Sequence, residues 1–399
     1  MGDRRIIFVN RVYWPEQSAT AQLLADLAEA LAARGHDVQV ICAGTGPAEH
    51  AGVRIHRTGG DTVHRHVVHQ AANYLRFLAR ARTRLRSLVR PGDAVVVKTD
   101  PPLLGVAVSR LARRRGGAVF HWIQDIYPEI LPLHAGAWLQ PLIAPLRWLR
   151  DAAWRTSAAC VVVGEDMRPT VVRSGVAPGL IRVLPNWAPR ECTELPDRAA
   201  VAAQRAEWRI GDRFLVAYSG NHGRVHEFDT LLAAAAALKD DAAFVFAFIG
   251  GGPRLPEVRA RAAALGLPNV LFLPTVPRPR LAAALGAADV HVVTLRPGFE
   301  RVVNPSKLAG ILASGRPVLW IGPADSANAR LIQRTGSGCV FAPGQGDAVA
   351  QALVRLRAES PAPVAGRAAR ALFERDFAFA AQLARWESLL AEPGVPPQR

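Results

Sequence analysis

Between two apolar runs, residues 290–295 and 318–321, the chain reads Val-Val-Asn-Pro-Ser-Lys-Leu-Ala-Gly-Ile-Leu-Ala-Ser-Gly-Arg-Pro. Pro305 suits the first turn of a helix, where its missing N–H is not needed, so Ser306 and Lys307 fall in that turn beside free backbone N–H groups. A hydroxyl, a primary amine and a helix N-terminus together can hold an anion. Of 49 Lys and Arg residues only Lys98, Lys239 and Lys307 are lysines. A chain that elsewhere answers with Arg keeps a compact point charge here, which suits a phosphate in a confined pocket. An ordinary strand–helix–strand unit with a solvated lysine would give the same local string, so context has to decide.

Other residues of chemical interest follow apolar runs. Gly220-Asn221-His-Gly-Arg224 comes after residues 214–219, and Gly250-Gly251-Gly252-Pro after 243–249. Glycines there let backbone approach a ligand closely, although neither string is GxGxxG with an acidic residue at the ribose distance. Earlier in the chain, the loop 11–21 with Glu16, Ser18 and Thr20 follows residues 4–10. Lys98-Thr-Asp100-Pro-Pro follows residues 94–97, and Gln124-Asp125-Ile-Tyr-Pro-Glu129 follows 118–123. Ser18 and Thr20 can cap the next helix or meet a phosphate. Asp125 and Glu129 can bind a hydroxyl or act as general base, or can simply cap and turn. No Asp-x-Asp pair or His/carboxylate cluster has metal-ligand spacing, so neither a metal nor another cofactor is expected. The widely spaced Cys42, Cys160, Cys192 and Cys339 give neither a zinc pattern nor a disulfide framework.

The elements that must position these residues are short buried-type strands alternating with helical stretches. The helices are 22–34 with Gly35 as a stop, 138–159, 345–357 and 377–390. At 399 residues two α/β domains are expected, with the junction at 190–212, where apolar periodicity is lost and charge rises. Hydrophobic content of 50% and charged content of 21% are globular. No apolar run is long enough to cross a bilayer, and the N-terminus enters a strand rather than a signal-peptide core, so a cytoplasmic protein is expected. The net charge of +16 calls for an anionic partner. Residues 64–90 are rich in Arg (65, 76, 80, 82, 84, 86 and 90) with apolar residues interleaved. They form either a basic amphipathic helix lying on an anionic membrane or a surface helix whose Arg stems cover the core.

Seven strings in order resemble the GT-B glycosyltransferases, specifically the retaining family 4 group, with polysaccharide and O-antigen transferases of the fucosaminyltransferase type most alike. They are Y-W-P-E-Q-S-A-T-A from 13, T-D-P-P-L-L-G from 99, Q-D-I-Y-P-E from 124, V-L-P-N-W from 183, S-G-N-H-G-R from 219, I-G-G-G-P from 249 and N-P-S-K-L-A-G-I-L-A-S-G-R-P-V from 304. The resemblance implies two Rossmann-like α/β domains facing each other across a cleft. Residues 1–190 would take the acceptor, 191–376 the donor, and 377–399 would be a helix packing back on the first domain, and a tail.

It further implies transfer of a hexosyl or N-acetylhexosaminyl group, with retention, from a UDP-linked nucleotide-diphosphate sugar to a lipid-linked or saccharide acceptor at the inner face of the cell membrane. Carried over by position, Gly220, Asn221, Gly251, Gly252, Thr275, Val276, Ser306 and Lys307 would bind the donor. Lys307, Asp125 and Arg224 would be catalytic, and Glu16, Ser18, Thr20, Asp100 and Glu129 would meet the acceptor. The chain departs from the family where an E-x7-E pair would stand, at Val302 and Gly310. It also has Asn221 and His226 at the usual Arg and Lys positions, leaving Arg224 as substitute, and Gln124 at the first-domain His. A nucleotide-sugar 2-epimerase would share this architecture and donor. A nucleic-acid-binding protein would explain the charge but not the glycine loops, so no nucleic acid is expected.

Overall fold

Wholly apolar runs such as Ile-Ile-Phe-Val at 6–9 and Phe-Val-Phe-Ala-Phe-Ile at 244–249 have no polar face to show to water. They form central strands of parallel sheets covered on both sides. The computed structural model describes residues 4–16, 18–60, 67–358 and 364–392, with backbone alone at 67–69. Of the features expected from sequence, Gln17, residues 64–66 with Arg65, and the tail 393–399 lie outside the described residues. The chain divides into two units, the first made of residues 1–185, 301–304 and 382–399, the second of 186–300 and 305–381. Both are Rossmann-like α/β sheets, as the resemblance implies.

The strands of the first unit are β1 Ile6–Val9, β2 Val38–Cys42, β3 Glu49–His50, β4 Val53–Arg57, β5 Ala94–Lys98, β6 Ala118–Ile123, β7 Ala159–Val162 and β8 Ile181–Val183. Their order is β3-β4-β2-β1-β5-β6-β7-β8, parallel throughout except for β3 against β4. Helices α1 Ala19–Ala33, α2 Val67–Leu88, α3 Leu104–Arg114, α4 Ile130–Ala135, α5 Gln140–Arg155 and α6 Arg168–Arg173 complete it. Side chains of β6 alternate between faces. Val119 joins the cluster built with Phe77, Ala81 and Leu85 of α2 and Leu104, Val108 and Ala112 of α3. His121 faces Gly105 and Ser109 of α3. Helix α3 packs against α2 and α5, so these three form one layer. On the other face, the Trp122 ring meets Trp386 at 4.8 Å between centroids.

In the second unit the strands are β9 Phe214–Ser219, β10 Phe244–Ile249, β11 Val270–Leu273, β12 Val290–Thr294, β13 Val318–Ile321 and β14 Gly338–Phe341. All are parallel, in the order β11-β10-β9-β12-β13-β14. The helices are α7 Arg198–Glu207, α8 Asp229–Ala237, α9 Leu255–Ala264, α10 Leu281–Ala287, α11 Lys307–Ala313, α12 Ala327–Thr335, α13 Gly346–Ala358 and α14 Val364–Leu372. Finally α15, Phe379–Ala391, passes into the first unit from residue 382. The stretch 190–212, expected to hold the domain junction, contains α7, which lies on α10 through small residues. A methyl group on Gly286 would stand 2.4 Å from Pro196. An Ala-rich contact of that kind leaves no stripe of large apolar residues, which is why no helical period shows there.

Trp386 is fully buried, and its removal leaves a void over Trp122 that rigid neighbours cannot fill. Trp386→Ala is expected to destabilise the first unit by about 3–5 kcal/mol, read as a lowered denaturant midpoint. A midpoint unchanged from the parent would contradict this packing.

Candidate anion site and buried lysine pair

The loops after β9 and β10 are built against each other. Gly220 N–H donates to the Ile249 carbonyl at 2.9 Å and His222 N–H to the Gly251 carbonyl at 2.7 Å. Gly250 and Gly252 both have positive φ, and side chains there would collide. A Cβ on Gly250 would stand 2.5 Å from the Gly220 carbonyl oxygen, and one on Gly252 would stand 2.5 Å from Asn221 Oδ1. Tyr218 donates its hydroxyl hydrogen to the Asn221 carbonyl at 2.8 Å, fixing the start of the first loop from below.

Lys307 enters this arrangement from the first position of α11. Its Nζ lies 3.5 Å from the centre of the Tyr218 ring, and 3.7 Å from where a Gly220 Cβ would be. The residue is half-buried, but Nζ is closed off from solvent and has no hydrogen-bond partner. Burial pushes its pKa well below the ordinary lysine value. His222 and His226 flank Tyr218 and are held neutral. Burial lowers their pKa values to about 4 and about 2, and the Lys307 charge pushes the same way. His226 Nδ1 faces the Thr294 carbonyl at 2.7 Å, so its hydrogen is spoken for, whereas His222 Nε2 is buried without a partner. The Lys307 amine, next to the Gly220 loop, and the His222 Nε2 are thus two buried polar atoms that make no hydrogen bond within the protein.

The structure therefore brings Gly220, Asn221, Gly251, Gly252 and Lys307 together. Ser306 caps α11 by position but makes no side-chain cap bond and is exposed. Thr275 is exposed and Val276 half-buried, in the loop after β11 whose Leu273 carbonyl accepts from Gly250 N–H. Arg224 is exposed, and its carbonyl accepts from Arg296 at 3.4 Å. Gly310, in α11, is buried with Leu285 Cδ1 3.4 Å from where a Cβ would be, and Val302 lies in the first unit, where its carbonyl accepts from Ile126 N–H.

In the first unit the centre is a residue that sequence reasoning only counted. Lys98 ends β5 fully buried, with Nζ 3.6 Å from the centre of the Trp122 ring and donating to the Thr20 carbonyl at 3.1 Å. Burial lowers its pKa to about 7, partly offset by Asp100 and Asp125. Asp125 is pushed up to about 6 by burial and by Asp100, against the pull of Lys98. The signal available in the sequence was a lone lysine closing an otherwise apolar strand.

The remaining acceptor candidates are arranged differently from expectation. Glu129 is gripped by the buried Arg150, with Nη2 to Oε1 at 2.8 Å, and is also paired with Arg147. Its carboxylate holds α5 in place, so it is not free to act as a base. Asp100 accepts from Arg11 at 3.0 and 3.2 Å. Ser18 stands at the N-cap of α1 without a side-chain cap bond, so it is the Ser18 carbonyl, not the hydroxyl, that binds the first turn. Thr20 contributes its carbonyl to Lys98, and Glu16 is half-buried at the same rim. Among the described residues no His, Cys, Asp and Glu cluster could hold a metal ion.

Comparison with known proteins decides what kind of units these are. Residues 19–187 match the family described as "Glycosyl transferase 4-like domain", and residues 213–359 match "Glycosyl transferases group 1". Both matches are to domains of glycosyltransferase type. A probable glycosyltransferase of Pseudomonas aeruginosa, WbjE, is 30% identical over 261 residues, 64% of each chain. WcaI of Escherichia coli K12, assigned to colanic acid biosynthesis as a glycosyl transferase, is 30% identical over 154 residues, 38% of each chain. The chain thus spans under two thirds of either relative. HepE of Anabaena, solved in complex with UDP, superposes with a TM-score of 0.75 at 13% identity, covering 98% of this chain and 100% of that one. The fold is that of the GT-B enzymes.

The Lys98 site in the 4-like domain generates a test with a definite sign. Because the folded pKa lies near 7 and the unfolded one near 10.5, the unfolded chain binds more protons between those values. Folding stability of the parent therefore rises with pH across that window. Relative to Lys98→Met, the parent is expected to gain stability between pH 7 and pH 9.5 in urea melts. A difference independent of pH would contradict a buried, deprotonating Lys98.

Proposed function

We propose that this protein is a retaining glycosyltransferase. It moves a sugar from a nucleoside-diphosphate sugar, with uridine as the base, to a lipid-linked or saccharide acceptor in cell-surface polysaccharide biosynthesis. The observation that carries this reading is Lys307, whose buried amine makes no hydrogen bond and lies beside the Gly220 loop of the stretch matching the group 1 family. The polysaccharide role is supported by the relative assigned to colanic acid biosynthesis, and the base by the UDP complex of HepE.

In this reading the diphosphate lies beside Gly220, Gly251 and Gly252, and Thr275 and Val276 flank the base. Negative charge grows on the diphosphate as the glycosidic bond breaks, so a cation already in position stabilises the transition state more than the ground state. Lys307 supplies that charge, Ser306 and nearby N–H groups fix the phosphate geometry, and Arg224, exposed and free to swing, assists. These groups provide the positive charge a bound divalent cation would otherwise bring, so turnover is expected to persist in EDTA. In the 4-like domain Asp125, with its pKa near 6, can receive a hydrogen bond from the acceptor hydroxyl, and Glu16, Ser18, Thr20 and Asp100 line the same rim. The arginine face of α2 draws the protein to an anionic membrane, where each Lys or Arg contributes on the order of 1 kcal/mol.

Lys307→Ala is expected to lower kcat by roughly a hundredfold to a thousandfold at saturating donor with little change in thermal midpoint. Lys307→Arg should restore only part of the loss, because a planar fork does not fit a point-charge site. Steady-state kinetics with a UDP-sugar, with and without acceptor, checks both points. Turnover of Lys307→Ala within threefold of the parent would remove Lys307 from the mechanism. Conversion of the donor without acceptor would point to the epimerase reaction.

A further inference from the structure

Residues 130–146, Ile-Leu-Pro-Leu-His-Ala-Gly-Ala-Trp-Leu-Gln-Pro-Leu-Ile-Ala-Pro-Leu, contain no Asp, Glu, Lys or Arg. They form α4, a short turn and the first half of α5 in the first unit. Such a sequence is expected to be buried. Instead only Ile130, Pro132 and Ile143 of it are buried, and the other side dominates the exposed large apolar surface of the described residues. Trp138, Leu142 and Trp148 are 67%, 64% and 65% exposed, with Leu131, Leu146 and Leu149 beside them in sequence. Residues 142, 146 and 149 share one helical face. An apolar stretch this long, open to water, marks an interaction surface.

The charge of the surrounding layer decides what covers it. In α2, α3 and α5 the only carboxylate is Asp151, and it is taken up by the buried Arg150. Exposed arginines follow one another along α2 at 76, 80, 82, 84 and 86. A second copy brought to this face would set arginine layer against arginine layer. A bilayer interface accepts both features at once, with tryptophans at headgroup depth, leucines among the upper acyl chains and arginines on the phosphates. No helix among the described residues is long and apolar enough to cross a membrane.

We propose that α4 and the first half of α5 are a monotopic membrane anchor, inserted edge-on into an anionic bilayer with Trp138, Leu142 and Trp148 as the inserting side chains. This deepens the membrane part of the proposed function and rests on it only for the lipid surface, not for the transfer chemistry.

The test uses the full chain, without donor or acceptor, and vesicles of phosphatidylethanolamine with phosphatidylglycerol beside vesicles of phosphatidylcholine alone. Trp138→Ser, Leu142→Ser and Trp148→Ser are combined in one variant. It should keep its thermal midpoint, because all three side chains are exposed. The parent is expected to partition onto the anionic vesicles and to lose part of that binding in high salt. Its tryptophan fluorescence should be quenched by brominated acyl chains. The variant should partition at least tenfold less at either salt and lose the quenching. A variant within twofold of the parent, or a parent that binds without quenching, overturns the anchor and leaves only electrostatic adsorption. A parent that sediments as a dimer which the variant dissolves assigns the face to a second copy instead. Retained anchoring in a protein without transferase activity would overturn the proposed function alone.

Discussion

A primary amine shut away from water with no anion beside it is the constraint around which the second unit is arranged. Burying an unpaired ammonium costs on the order of several kcal/mol, and that cost is what pulls the pKa of Lys307, over the Tyr218 ring, well below the ordinary lysine value. Everything near it keeps that state tolerable without removing it. The histidines are neutral, and the tyrosine hydroxyl is spent on the Asn221 carbonyl. The glycines at 250 and 252 let the loop after β10 close against Gly220, Asn221 and His222, which Cβ atoms there would forbid.

The first unit uses the same two parts to a different end. Lys98 also sits on an aromatic face, that of Trp122, but its Nζ donates to the Thr20 carbonyl and has Asp100 and Asp125 as electrostatic partners. Its bond to Thr20 ties the start of α1 to the end of β5, and Trp386 closes the far side of Trp122. One buried lysine is thus satisfied internally and holds the rim in shape, while the other is left for an incoming group. Of the three lysines in the chain, these two are buried on rings, which explains why neither is Arg: a guanidinium fork with five donors would leave several unsatisfied in such a space.

Much of this was legible in the sequence because the signals are local. Buried strands announce themselves as unbroken apolar runs, and Pro305 before Ser306 and Lys307 marks a helix start. The glycine strings after 219 and 249 mark loops where backbone must come close. What was not legible depends on partners distant in the chain. Nothing near Glu129 says that Arg150 will consume its carboxylate, and a lysine ending a strand is ordinarily solvated, so Lys98 was passed over. The transfer of residues 301–304 and 382–392 to the first unit is likewise a matter of long-range pairing, such as the bridge between Asp125 and Val303. Helical spacing over 138–159 gives a helix, but spacing cannot tell whether its apolar side will be covered.

The central claim, that the buried Lys307 amine receives an anionic diphosphate, is tested most directly by counting protons. Calorimetric titration of UDP into the chain at pH 8, in two buffers of different ionisation enthalpy, measures the protons taken up on binding. The groups facing Lys307 are Tyr218, His222 and His226, whose lowered histidine pKa values keep them neutral at that pH. An uptake approaching one proton per UDP is expected for the parent and none for Lys307→Met. Binding by the parent with no proton uptake would mean that the amine is already charged, or never meets the phosphates, and would contradict the account.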